Sequence, residues 1–211
     1  MNKKRIAQIL ILMMTIIWFA PVSKADTRAR LKLLSAVQPS VSIEKSSQSR
    51  EAASLDVTTG RLDSVLQSVF TLQTNETDEN YDFIITSTVQ KDGGVDSGYG
   101  LNGSTPTLLF TNTAKLPTNA DIANAKQSGS VNCNVIAYPV TLILTNGNMS
   151  QSFKKSYGSY GDCFVIKVNG ETSGTIVHNL GQQPAGQTYK VGQDAAGTYK
   201  STVTFTAVSK L

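Results

Sequence analysis

Few residues of this chain combine the types and spacing that chemistry requires. A Ser-His-Asp device needs a histidine held by a carboxylate and aimed at a nucleophile. The only histidine is His178, in "TIVHNL", and no G-x-S-x-G elbow exists for it to serve, so it is expected to be structural or at the surface. Two cysteines, Cys133 and Cys163, bracket a loop of 31 residues. In an exported chain an even count points to one disulfide, which stabilises by roughly 3–4 kcal/mol in the chain-entropy model. A metal pair would need further ligands, and only His178 is on offer, so no metal site is expected. Asp92 and Asp96 in "KDGGVDSG" lack the spacing and closing Glu of a calcium loop. Gly98, Gly100 and Gly103 resemble no phosphate loop, because no Lys-Ser or Lys-Thr follows them. Paired glycosidase carboxylates meet only in space, but the acids here sit largely in polar turns such as "NETDEN", which suits a solvated role. "SFKKSYGSYGD" (152–162) sets Tyr157 and Tyr160 beside Lys154 and Lys155, which could stack on a sugar ring; the plainer reading is an exposed hairpin. The chemistry of an enzyme is missing, and no cofactor is implied.

The elements that would carry these residues are extended. The chain is rich in Thr, Ser, Val, Asn and Gly, and no long stretch repeats an apolar residue at helical spacing. Residues 64–74, 81–89 ("YDFIITSTV"), 134–145 and 162–168 read as strands. Residues 91–104 read as a glycine-rich loop, and 116–130 as an irregular connection with one helical turn at Asp121–Lys126. Pro139 implies an edge position or a bulge in its strand, and Asn146-Gly147 signals a hairpin to the segment after it. At the end, Tyr199, Ser201, Val203, Phe205 and Ala207 alternate with Lys200, Thr202, Thr204, Thr206 and Val208 as one closing strand. About seven to ten short strands joined by Gly, Asn and Ser turns predict an all-β sandwich in a single domain.

The first 25 residues are set apart. Asn2-Lys3-Lys4-Arg5, an apolar run from Ile6 to Ala20, and small residues at Ser23 and Ala25 read as a signal peptide cleaved after Ala25. The formal charge of +4 then disappears. Lys3, Lys4, Arg5 and Lys24 leave with the leader, and of 19 cations 15 remain against 15 acids. Nothing in that balance favours a nucleic-acid partner.

The two ends carry a resemblance. The N-terminal "LKLLSAVQPSVSIEK" puts Leu31, Leu33, Ser35, Val37, Pro39, Val41 and Ile43 on one face. It resembles the donor extension of the alpha-class colonization-factor pilins, a branch of the chaperone–usher fimbrial subunits. "AGTYKSTVTFTAVSKL" is similar to the closing strand of such subunits, and "VFTLQTNETDENYDFIIT" to their second and third strands. Two departures stand out: Leu34 breaks the alternation, and the cysteines lie in the second half of the chain, whereas many pilins bridge early strands. The resemblance implies an incomplete immunoglobulin-like β-sandwich completed by donor-strand exchange. Residues 26–38 would be the donor extension, with Leu31, Leu33, Ser35 and Val37 as plugs, and residues 39–211 the domain. Tyr199, Val203, Phe205 and Ala207 would face a periplasmic chaperone and an outer-membrane usher. The partners it implies are identical or related pilin subunits, and the destination is an extracellular fimbria. The alternative is an adhesive minor or tip subunit that meets a host glycan or protein receptor through Tyr157, Tyr160, Lys154 and Lys155.

Overall fold

The structure is a computed structural model that describes residues 37–56, 61–128, 134–181 and 195–210. The chain divides into two units, Met1–Val37 and Gln38–Leu211, and every strand and helix among the described residues belongs to the second. The protein is all-β with antiparallel sheets, as its composition predicts.

The strands follow apolar alternation. β1 (Val41–Lys45) pairs with β4 (Gln67–Thr74), setting Val41, Ile43 and Lys45 beside Thr74, Leu72 and Phe70. Between them a small hairpin, β2 (Leu55–Asp56) and β3 (Arg61–Leu62), stands apart from both large sheets. β5 (Tyr81–Lys91) buries Phe83 and Ile85 on one face and Ile84 on the other.

The stretch expected to be a glycine-rich loop is instead two short strands, β6 (Gly94–Ser97) and β7 (Tyr99–Asn102). β6 folds back on β5, and β7 pairs with β8 (Thr105–Asn112). The glycines do two jobs. Gly93 and Gly103 take positive φ of 78° and 61° and make the tight turns. Gly100 lets a helix approach, since a Cβ there would lie 2.7 Å from the Lys126 Cα.

That helix, α1 (Asn119–Ser128), is longer than the single turn expected. Thr118 and Asp121 exchange hydrogen bonds at its start, the Asp121 carboxylate accepting from the Thr118 N–H at 2.9 Å. Ile122 and Ala125 are buried against Leu109, Val135 and Ala137. Asp96 of β6 accepts from Lys126 at 2.7 Å and Lys91 at 3.1 Å, which ties the helix to the sheet.

The remaining strands are β9 (Val135–Leu144), β10 (Met149–Lys154), β11 (Cys163–Val168), β12 (Thr172–Leu180), β13 (Tyr199–Lys200) and β14 (Thr202–Ser209). One sheet runs β1-β4-β12-β9-β8-β13 with β7 also on β8; the other runs β10-β11-β5-β14 with β6 also on β5. Their inner faces share one core that includes Phe70, Leu72, Phe83, Ile85, Ile136 and Phe164.

Three sequence expectations are corrected here. Pro139 lies in an interior strand, not at an edge. It marks the point where β9 stops pairing with β8 and starts pairing with β12, so the residue without an N–H falls at a handover. Asn146-Gly147 does turn the chain, but β9 and β10 belong to different sheets, so it makes no hairpin. The Asn146 side chain donates to Ser173 O and accepts from the Asn148 N–H, holding the crossing in place. Finally, the closing strand is two strands. β13 pairs with β8 in the first sheet and β14 with β5 in the second, and the chain changes sheets at Ser201, whose hydroxyl meets that of Ser87 at 2.9 Å.

Candidate functional site

The candidate site lies between the edge strands of the two sheets. β1 ends one sheet and β14 ends the other, and no strand among the described residues pairs with the outer edge of either. The two edges lie in contact. Phe70 and Phe205 meet edge-on with ring centroids 5.5 Å apart, and this contact sets the level between the sheets. In the second half, toward the start of β14, Arg50 and Glu51 line a cavity with Thr202 and Val203, and Glu51–Leu55 line one with Ala195–Tyr199.

Along that second half the core is open. One cavity of about 490 Å³ runs between Ala53–Leu55 and Ala195–Tyr199, floored by Phe110, Ile136 and Tyr138. A second, of about 360 Å³, continues it between Arg50 and Val203, floored by Leu66, Leu108, Leu180 and His178. They share Glu51, Leu66 and Phe110, so they form one groove. Core side chains along it stay half-buried: Leu55, Leu66, Phe110 and Val203 all pack on the core without being sealed.

The floor carries a buried polar group, His178, paired with Tyr99 behind it. His178 is 1% exposed, and its Nε2 lies 2.8 Å from the Tyr99 hydroxyl. Tyr99 in turn meets Phe164 and Phe153 edge-on. Burial pushes the His178 pKa down to about 4, so the ring is neutral at physiological pH. The same burial raises the Tyr99 phenol well above its usual range. The pair is a satisfied hydrogen bond. What the groove offers instead is an apolar floor beside an unpaired strand edge, the arrangement that receives an extended segment.

Among the described residues, the chain holds its leading end at Gln38 and Ser40. The Asn75 side chain donates to Gln38 O at 2.9 Å and accepts from the Ser40 N–H at 2.7 Å, bracketing Pro39. Of the proposed plugs, Leu31, Leu33 and Ser35 lie outside the described residues, and Val37 is 78% exposed. Tyr199 sits on β13 at the groove, and Val203, Phe205 and Ala207 form the inward row of β14. Cys133 lies outside the described residues, and Cys163 is a buried free thiol whose pKa burial, then Asp162 and Asp82, push up to about 11.

The tyrosine loop joins β10 to β11 through a 3-10 turn, Gly158–Tyr160. Its residues differ in exposure. Tyr157 packs against Ile84, Cys163 and Val165 on the outer face of the second sheet, while Tyr160, Lys154 and Lys155 are exposed. No group of His, Cys, Asp or Glu among the described residues could hold a metal. Sequence reading missed Tyr99, which it assigned to a loop, and the floor residues Leu66, Phe110 and Tyr138. The signal for Tyr99 was its place after Gly98, one apolar ring in a polar run.

The chain matches no protein-family model, no curated protein and no solved structure.

Proposed function

We propose that the chain is a structural subunit of a surface fimbria, polymerised by donor-strand exchange along the chaperone–usher route. On this reading the domain is an immunoglobulin-like sandwich that lacks its last strand. The observation that carries it is the pair of abutting edge strands, β1 and β14, with which no further described strand pairs, and the half-buried core side chains on both. A segment of matching character lies in the same chain: Leu31, Leu33 and Val37 alternate with polar or small residues, Leu34 excepted. Burying each of the three stabilises the joint by ~1.5–3 kcal/mol, roughly 5–9 together before ladder bonds are counted. The grip of Asn75 from Gln38 onward supports a handover at Pro39, with residues before it leaving for a neighbour. A periplasmic chaperone would fill the groove first, and the next subunit would displace it at an outer-membrane usher. The chain is then exported to the cell surface and performs no catalysis.

Removing Asp26–Val37 tests the reading. The shortened chain should still form a complex with its chaperone and fail to polymerise. Normal fibres from the shortened chain would refute it. The adhesive alternative rests on Tyr160, Lys154 and Lys155, since Tyr157 is committed to packing. Unchanged glycan or cell binding by fibres of Tyr160→Ala would remove it.

A further inference from the structure

Three asparagines of this chain are followed by glycine: Asn102-Gly103, Asn146-Gly147 and Asn169-Gly170. In such a pair the asparagine side chain is open to attack by the next backbone nitrogen, because glycine carries no Cβ to shield it. As sequence the three pairs are equivalent, and the fold separates them. The Asn146 amide is held at both ends: Nδ2 donates to Ser173 O at 3.0 Å, and Oδ1 accepts from the Asn148 N–H at 2.9 Å. Asn102 closes the β7–β8 ladder opposite Thr105, so pairing ties the backbone on both sides of that two-residue turn. Asn169 is exposed and belongs to no strand, standing between β11 and β12. Its own N–H donates to Asn148 O at 2.9 Å, which fixes the preceding side of the residue only. Among the described residues its side-chain amide has no hydrogen-bond partner. A Cβ at Gly170 would meet nothing within 4 Å, which leaves the following side open to water. Gly147 is equally open, so the grip on the side chain is what distinguishes Asn146 from Asn169.

We infer that Asn169 is a self-modifying site, converted without an enzyme to aspartate and isoaspartate while Asn146 and Asn102 are spared. The Gly170 nitrogen attacks Asn169 Cγ and forms a bond to it. The bond from Cγ to Nδ2 breaks, and Nδ2 leaves as ammonia, carrying the proton that the Gly170 nitrogen gives up. The cyclic imide left behind takes up one water, which opens it at either carbonyl. Opening at the side-chain carbonyl restores the main chain and leaves aspartate. Opening at the other routes the main chain through the side-chain carbon and leaves isoaspartate. An amide nitrogen is exchanged for a water oxygen, and nothing is oxidised or reduced. The surroundings suit the product. Asn169 shares a surface cavity of about 340 Å³ with Asp78 and Lys167, whose side chains pair at 3.4 Å. The new carboxylate adds a negative charge beside that pair, within the neighbourhood of an exposed lysine. Two carboxylates then compete for Lys167 at the point where the chain crosses from the second sheet to the first. Neither a partner nor polymerisation is required for the reaction.

Ageing the purified full chain in mildly alkaline buffer made with heavy-oxygen water tests the site. Peptide mapping by mass spectrometry should show Asn169 converted several-fold faster than Asn146 and Asn102. Each product should carry an oxygen drawn from the water, and both the aspartate and isoaspartate forms should be present. The same ageing in urea releases the Asn146 side chain and dissolves the ladder at Asn102, and the three sites should then convert at similar rates. Asn169→Gln, whose longer side chain closes the ring poorly, should silence the site and leave the other two as they were. A folded chain in which Asn146 or Asn102 keeps pace with Asn169, or in which Asn169 stays intact, overturns the proposal. So does an unchanged ranking in urea, which would mean that the flanking sequence and not the fold selects the site.

Discussion

The buried histidine on the groove floor makes the stability of the fold depend on pH in a window of its own. His178 is the only histidine in the chain, and burial lowers its pKa from 6.5 to about 4. Unfolded, it titrates near its ordinary value, so below that pH the unfolded chain takes up a proton that the folded chain refuses. The sign follows. Stability is whole above about pH 6.5 and falls as the pH drops toward 4. Between roughly pH 7.5 and pH 5 the loss comes to about 2 kcal/mol, most of it below pH 6.5. Few ordinary carboxylates titrate in that interval, so the change is assignable to one ring. Urea unfolding of the purified domain, followed by circular dichroism at half-unit steps, would measure it. The same series on His178→Gln, which keeps a polar group near Tyr99 and cannot take a proton, should be flat in that window whatever its absolute stability. A flat wild-type series, or equal slopes in the two proteins, would mean that the ring is accessible to protons in the fold. The neutral, desolvated floor described above would then be wrong.

Three further outcomes are expected. Gly100→Ala places a methyl against the α1 backbone and should cost about 1–3 kcal/mol in urea unfolding, with a neutral result refuting the close helix approach. Asp96→Asn removes the partner of Lys91 and Lys126; because all three are partly exposed the cost should be near ~1 kcal/mol, read as faster hydrogen exchange confined to residues 119–128. Tyr157→Ala should destabilise the fold by about 1–2 kcal/mol by uncovering Ile84, whereas Tyr160→Ala should stay within about 0.5; equal effects would contradict the division of labour in that loop.

How much of this was legible in the sequence depends on which force set each element. The strands with period-two alternation, such as β4, β5 and β9, are written in local pattern, and their faces follow. What local pattern cannot carry is which sheet a strand joins. Asn146-Gly147 and Asn169-Gly170 look alike to a reader of turns, yet both pass the chain between sheets instead of closing hairpins. The break at Ser201 is hidden for the same reason: alternation runs unbroken from Tyr199 to Ala207, while pairing changes from β8 to β5. The glycine-rich stretch failed in the opposite direction. Its glycines serve turns and a close helix approach, and the two four-residue strands between them are held by tertiary pairing that overrides weak propensity. The groove could be suspected from the two ends of the chain, but its floor could not, because Leu66, Phe110, Tyr138 and His178 come from four strand regions that meet only in the fold.

The second sheet has two outer edges, and they are treated differently. At one, β10 sets Met149, Gln151 and Phe153 in its inward-register row, with Gln151 exposed and the exposed Lys154 at its end. A polar residue in the inward row and a terminal lysine are the usual devices that keep an edge from recruiting another strand. At the other, the inward row of β14 is Val203, Phe205 and Ala207, and the outward row is Thr202, Thr204 and Thr206. No charge interrupts either row, the strand is eight residues long, and a cavity opens beside its first half. An edge of that kind is a hazard in a protein meant to stay alone. One edge carrying protective residues and the other, among the described residues, unpaired and uncharged is an asymmetry within a single sheet that fits the proposed growth in one direction through β14.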